Sequence, residues 1–314
     1  MSKCLICYED VKNADYHEKC AKRFFQTHSV PLLPYKIEEL KEIAKNEIRE
    51  SCANITGVQK KISLGVRKSK KERRLTFTNV WGRFILKPPA DRYPEMPQVE
   101  HLSMMLAEAA NIQVVPYALI RLASGELAYI SRRIDRPKDG GKLHMEDMCQ
   151  LTERLTEDKY KGSMENIAKA IRQYSSAPML DIVRFFELAI HSFLIGNADM
   201  HLKNFSLIMK DPEKFFLSPA YDLLSTRLLI PESVDSEEMA LPICGKKKKL
   251  SGNDFYIFGE NINLNKIQIK NAINLFLDRL EIFYEIIDKS FLTDDMKNEF
   301  KGLIKSRALR LRHS

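Results

Sequence analysis

Asp199 and Asn204 stand five residues apart in the polar run that follows a long apolar stretch, 180–194. A carboxylate at the first position can accept the proton of an attacking hydroxyl. An amide oxygen at the second can help to hold magnesium, and this Asp-x-x-x-x-Asn spacing is that of the kinase catalytic loop. Asp and Asn also crowd into ordinary turns, so the pair needs partners. A second carboxylate, Asp222, follows the short apolar run Phe205 to Met209 and is placed to hold the same metal. Upstream, Phe84 to Lys87 reads as a strand ending in a lysine suited to gripping nucleotide phosphates. Glu100, in the helical pattern 99–111, either orients that lysine through an ion pair or is a favourable charge in the first turn of its helix. Lys, Glu, Asp-x-x-x-x-Asn and Asp occur in the order of a kinase fold. They predict ATP and magnesium as cofactors, with Lys87 on the α and β phosphates, Asn204 and Asp222 on the metal and Asp199 aligning a hydroxyl.

These residues need a framework. Residues 180–194 carry apolar side chains on most faces with Asp181, Arg184 and Glu187 among them, which predicts a helix sunk in a protein core rather than a membrane span. Alternation over 61–66 and 75–80 predicts two strands joined by the basic tip Arg67 to Arg74, and Gly82 breaks the chain before the Lys87 strand. Residues 114–120 and 126–132 read as a hairpin across Ala123-Ser124-Gly125, leading to a hinge near Ile130 and Arg132 where an adenine ring would meet backbone groups. From about His144 the pattern turns helical, with helices over 163–175, 180–194, 266–287 and 294–309 and a polar connection over 257–265. The expected fold class is α+β, a two-lobed protein-kinase-like fold with a mixed β-sheet N-lobe and a mostly helical C-lobe. The expected division is 1–30, a short Cys/His segment; 31–140, the N-lobe; and 141–314, the C-lobe.

The first segment has chemistry of its own. Cys4-x-x-Cys7 and His17-x-x-Cys20 offer three sulfurs and an imidazole for a tetrahedral zinc site, or else form an unmetallated cap with the cysteines buried as small apolar residues. Helical spacing from Ile37 to Ile48 follows, but no helix is evident beside His17. Six cysteines scattered over 314 residues do not make a disulfide framework, so reduced thiols are expected. No apolar run reaches membrane-spanning length and the N-terminus does not read as a signal peptide, so a cytoplasmic location is expected. The net charge of +8 concentrates at Arg67 to Arg74 and Lys246 to Lys249, read as solvated tips or as a docking patch for an acidic or RNA-associated substrate. No nucleic-acid fold signature accompanies them, so direct nucleic-acid binding is not expected.

Six ordered segments carry a specific resemblance: Asn54 to Lys61, Ile85 to Pro88, Arg133 to Arg136, Glu146 to Gln150, Gly196 to Asn204 and Tyr221 to Leu224. This set resembles the HipA family of bacterial serine/threonine kinase toxins, from about residue 50 to the C-terminus. The resemblance implies ATP with magnesium and phosphorylation of protein seryl residues, with aminoacyl-tRNA synthetases as family targets. It adds Thr56, Gly57, Val58 and Gln59 as a phosphate loop, His201 as a brace of the catalytic loop and Lys203 as a γ-phosphate contact.

Two departures from the family stand out. Its regulatory serine, whose autophosphorylation expels the phosphate loop, is replaced here by Asn54 and Thr56, of which only Thr56 can take a phosphate. Where the family's longer members carry an extra N-terminal subdomain, this chain is expected to have only the short Cys/His segment. That resembles the shorter HipT type of HipBST toxin–antitoxin systems, and implies a small HipS-like subunit and a helix-turn-helix antitoxin as partners. Rival readings are a small-molecule kinase of aminoglycoside or choline type, which shares the loop spacing, and a kinase-like adaptor without transfer.

Overall fold

The computed structural model describes residues 2–27, 29–50, 61–68, 72–78 and 81–312, with the backbone alone for 44–50. The chain divides into two compact units, and the division falls inside one helix, α3 (Met96–Ala109).

The first unit comprises Met1–His101, Val115–Lys142 and Lys289–Phe291. In it β1 (Ser2–Lys3) pairs with β2 (Asp10–Val11), followed by α1 (Glu18–Phe25) and α2 (Ile37–Glu50). A five-stranded sheet is built from β3 (Ile62–Lys68), β4 (Arg73–Phe77), β5 (Phe84–Lys87), β6 (Tyr117–Arg121) and β7 (Leu127–Arg132). Its order is β4-β3-β5-β7-β6 and every pairing in it is antiparallel. Alternation sets one face inward: Ile62, Leu64, Leu75, Phe84 and Leu86 are fully buried. Phe24 and Phe25 of α1 close over Phe84 with ring centroids 5.7 and 6.2 Å away. Gly82 lets the chain run against β3, since a β-carbon there would lie 2.8 Å from the Leu64 nitrogen. The helix α1 begins directly after His17, where none was expected. Its apolar face is only Ala21, Phe24 and Phe25, too short a run for periodicity to register.

The second unit comprises Leu102–Val114, Leu143–Asp288 and Leu292–Ser314. It holds β8 (Met145–Asp147), α4 (Met148–Leu151), α5 (Met164–Tyr174), α6 (Pro178–Ile195), β9 (Ser206–Asp211) and β10 (Lys214–Leu217). The helices α7 (Gly252–Asn261), α8 (Lys266–Leu277), α9 (Leu280–Lys289) and α10 (Asp294–Arg312) follow. The helix α6 is its core: Phe185, Phe186, Ile190, Phe193 and Leu194 are fully buried, with the rings of Phe205, Phe255 and Phe258 packed against its phenylalanines in tilted and edge-on contacts. Asp181 is buried on this helix because it accepts hydrogen bonds from Ser175 Oγ at 2.6 Å and the Leu217 amide at 2.7 Å, with Arg184 beside it. Three expectations are corrected here. The polar connection begins with a helix, α7, capped by Ser251 and Asp254 and anchored by the buried pair Phe255 and Phe258. The helix expected over 266–287 breaks at Asp278 and Arg279, where the arginine turns to the Ala109 and Leu275 carbonyls. And β8 and β10 flank β9 in a three-stranded antiparallel sheet; β9 covers the strand-like run Phe205 to Met209, whereas β8 and β10 lie in a region expected to be largely helical from His144 onward. No helix among the described residues is long and apolar enough to cross a membrane.

Candidate active site

In the first unit Lys87, at the end of β5, pairs with Glu100 through an Nζ–Oε1 contact of 2.5 Å. Both are buried, Lys87 4% and Glu100 0% exposed, and the ammonium lies 5.4 Å from the centre of the Tyr129 ring. Glu100 is the fifth residue of α3, past the first turn, so the helix-dipole reading is replaced by the ion pair. Removing one partner of such a pair typically costs about 3–5 kcal/mol, because an uncompensated charge stays buried. A buried ammonium held by a buried carboxylate is a fixed cation, suited to an anionic ligand.

The second unit carries the loop after α6. Gly196 ends that helix in the left-handed region, φ +76°. The following residues are held from several sides: Ala198 N–H donates to Thr226 Oγ1 at 2.9 Å, and Asp199 N–H to the buried Asn197 Oδ1 at 3.1 Å. The Asp199 carbonyl accepts from His201 N–H at 2.8 Å and from Asn204 Nδ2 at 2.9 Å. Since a carbonyl can only accept, this bond fixes the Asn204 amide with Nδ2 toward Asp199 and leaves Oδ1 as an oxygen donor. Asp222 has φ +56°, a backbone conformation uncommon outside glycine that aspartate tolerates better than most residues. An amide oxygen and a carboxylate are the hard donors that suit magnesium.

Tyr160, 39 residues before Asp199, donates its hydroxyl to Asp199 Oδ1 at 2.6 Å. Burial first, then that bond and the Asp199 charge, push its phenol well above the ordinary range, so it stays a donor. Nothing in the local sequence around Tyr160 marks it. His201 packs its ring against Tyr160, centroids 5.1 Å apart and near perpendicular. Burial lowers its pKa, opposed mainly by the Asp199 charge and more weakly by Asp222. The bracing expected of His201 comes from its backbone, whose carbonyl also accepts from Asn204 N–H at 2.9 Å; Nδ1 of the ring has no hydrogen-bond partner among the described residues.

Lys203 does not extend into open space. Its ammonium pairs with Asp147 at 2.8 Å, and Asp147 caps α4 in a reciprocal box with Gln150. The Glu146 to Gln150 motif thus supports the catalytic-type loop from behind. Ile130 lies within β7 with strands paired on both sides, which takes up its backbone groups. Arg132 N–H donates to the Pro116 carbonyl, and its guanidinium to the Arg23 and Phe24 carbonyls. The adenine contact expected at these two residues therefore finds their backbone donors and the arginine engaged. Asn54, Thr56, Gly57, Val58 and Gln59 lie outside the described residues. Cys4, Cys7, His17 and Cys20 come together, all four ligand atoms within 4.8 Å of one another.

Residues 53–282 match the family model of the HipA-like C-terminal domain. A "Putative kinase" of Haemophilus influenzae is 29% identical over 294 residues, covering 84% of this chain and 83% of its own length. "Putative kinase Y4mE" and "Putative kinase Y4dM" of Sinorhizobium fredii are 30% and 34% identical over 73% and 67% of this chain. This chain spans only 57% and 52% of those two proteins. Among solved structures, the Shewanella oneidensis toxin–antitoxin complex of HipA, HipB and operator DNA contains a chain that superposes with a TM-score of 0.71. That match has 21% identity and covers 88% of this chain and 71% of the other. The Helicobacter pylori proinflammatory kinase CtkA matches with a TM-score of 0.56 at 14% identity, over 80% of this chain and 93% of its own. At these identities the likeness is one of fold: α+β and protein-kinase-like.

Proposed function

This chain belongs to the HipA-like C-terminal domain family, and on that premise we propose that it is an ATP- and magnesium-dependent kinase that phosphorylates serine or threonine residues of a cytoplasmic protein. The observation that carries this reading is Asp199: its carboxylate accepts a hydrogen bond from a hydroxyl at 2.6 Å, beside an asparagine whose amide is oriented by the same loop. A carboxylate so placed can align a seryl hydroxyl and take its proton as the oxygen attacks phosphorus. Lys87, oriented by Glu100, would bind the α and β phosphates. Asn204 and Asp222 would hold magnesium, which when bound neutralises charge on the phosphates during transfer. Lys203 would act indirectly, through Asp147, rather than on the γ-phosphate. Thr56 is the candidate for loop autophosphorylation, with Asn54 a hydrogen-bonding loop residue. The segments 1–30, 31–140 and 141–314 would be the Cys/His segment and the two kinase lobes.

The biological setting proposed is a toxin of HipBST type, with a small HipS-like subunit, a helix-turn-helix antitoxin and an aminoacyl-tRNA synthetase as candidate target. The Shewanella complex of HipA with HipB supports an antitoxin partner. The test is transfer of label from γ-labelled ATP in cell lysate, wild type against Asp199→Asn, with proteins separated from metabolites. Label on protein, lost by about a thousandfold or more in the variant, is the expected result. Label confined to metabolites would instead indicate a small-molecule kinase, and ATP binding without transfer an adaptor.

A further inference from the structure

We propose that Cys4, Cys7, His17 and Cys20 bind one zinc ion, and that this centre fixes the N-terminal segment against the helix that carries Glu100. The ligands come from two places that the fold brings together: the turn between β1 and β2, and the start of α1. His17 Nδ1 lies 3.4 Å from Cys7 Sγ and 3.9 Å from Cys20 Sγ. Ligand bonds of about 2.3 Å to sulfur and 2.0–2.1 Å to nitrogen give tetrahedral edges of roughly 3.5–3.8 Å, so the observed spacings are close to those of a filled site. The tautomer is also set. His17 Nε2 lies 2.9 Å from the Asp10 carbonyl, which can only accept, so Nε2 carries the proton and the Nδ1 lone pair faces the sulfurs. Three sulfurs and one imidazole form the closed set of a structural zinc centre, with no position for substrate.

The consequence follows from what the segment touches. Leu5 carbonyl accepts from the Leu119 amide at 2.9 Å, and Tyr16 donates its hydroxyl to the Leu119 carbonyl at 2.8 Å, both on β6. Tyr8, next to Cys7, is 2% exposed and has φ +64°, rare for a bulky side chain; its hydroxyl lies 2.8 Å from His101 Nδ1. His101 adjoins Glu100, the partner of Lys87. Metal, Tyr8 and His101 thus form a continuous support for α3.

The experiment is metal analysis of the full chain purified without chelator, together with the visible spectrum after exchange for cobalt. One zinc per chain, a tetrahedral cobalt–thiolate spectrum, loss of zinc in Cys7→Ser and Cys20→Ser, and retention in Cys244→Ser are expected. Hydrogen exchange should then quicken over residues 5–8, 96–101 and 117–121 on chelation. Wild type without zinc and without a cobalt–thiolate spectrum overturns the site, whether or not the variants fold. Unchanged exchange after metal loss overturns the support of α3. Neither readout depends on phosphoryl transfer.

Discussion

At the scale of single residues, the contact between Tyr160 and Asp199 sets the most direct test of how a substrate would enter. On the proposed function, a seryl hydroxyl approaching Asp199 would compete with the Tyr160 hydroxyl, which donates to Oδ1 at 2.6 Å. Tyr160 is 45% exposed, so its bond is worth less than the about 1.5–3 kcal/mol of a buried bond to a charged group. Tyr160→Phe is therefore expected to lower KM for a protein substrate about fivefold, the equivalent of about 1 kcal/mol, with kcat little changed. A fall in kcat at constant KM, measured by steady-state phosphorylation, would show instead that Tyr160 positions the carboxylate. Glu100 stood open between an ion pair and a helix-dipole charge until the fold paired it with Lys87, which as a lysine closing a strand was legible. Tyr160 was not, because it reaches Asp199 only through folding of a segment with no period of its own. Asp147 lay within the Glu146 to Gln150 segment, but its hold on Lys203, 56 residues away in sequence, was invisible to spacing.

At the scale of elements, legibility followed whether a segment's burial is written in its own sequence rather than its length, and the long pattern 266–287 hid a break at Asp278 and Arg279. The core helix α6 and the strand β5 carry their burial in their own sequence, whereas α1, β8 and α7 are fixed by partners distant in the chain. The junction between α6 and the Asp199 loop depends on one residue. Gly196 adopts φ +76°, and a β-carbon there would lie 2.8 Å from both Arg227 Cβ and Leu303 Cδ2. Its carbonyl also accepts from the Arg227 amide at 3.0 Å and Thr226 Oγ1 at 3.2 Å, so the turn is tied to its surroundings and has little room to shift. The left-handed conformation alone costs an alanine about 1–2 kcal/mol, and the two contacts add to it. Gly196→Ala should lower the urea midpoint by at least that equivalent and reduce phosphoryl transfer beyond what the unfolded fraction explains. Full activity in the folded fraction would show that the loop tolerates a displaced start.

At the scale of the whole molecule, each unit buries a neutral histidine, and acid should find both. His101 in the first unit is fully buried, with a pKa pushed down to about 3 by desolvation. His191 in the second is fully buried and pushed down to about 4 by burial, against the opposing bond to the Ser103 carbonyl at 3.2 Å. An unfolded chain protonates histidine near 6.5, so below that pH the unfolded state binds protons that the folded state refuses. Stability is therefore fully present above about 6.5 and falls as pH drops, until the folded groups themselves take protons near 4 and 3. The slope is about 1.4 kcal/mol per pH unit for each histidine, felt separately if the two units melt separately. Against burial, Arg310 holds the Glu238 carboxyl low, whereas burial raises that of Glu187, whose protonation in the folded state opposes the histidine slope. Calorimetric melting from pH 7.5 to 5 should show transitions moving steadily to lower temperature below about pH 6.5. His101→Gln and His191→Gln, whatever their effect at pH 7.5, should each flatten the dependence of the unit that carries them. A slope unchanged in both variants would place the acid-sensitive protons elsewhere, with His201, also lowered by burial, the next group to replace.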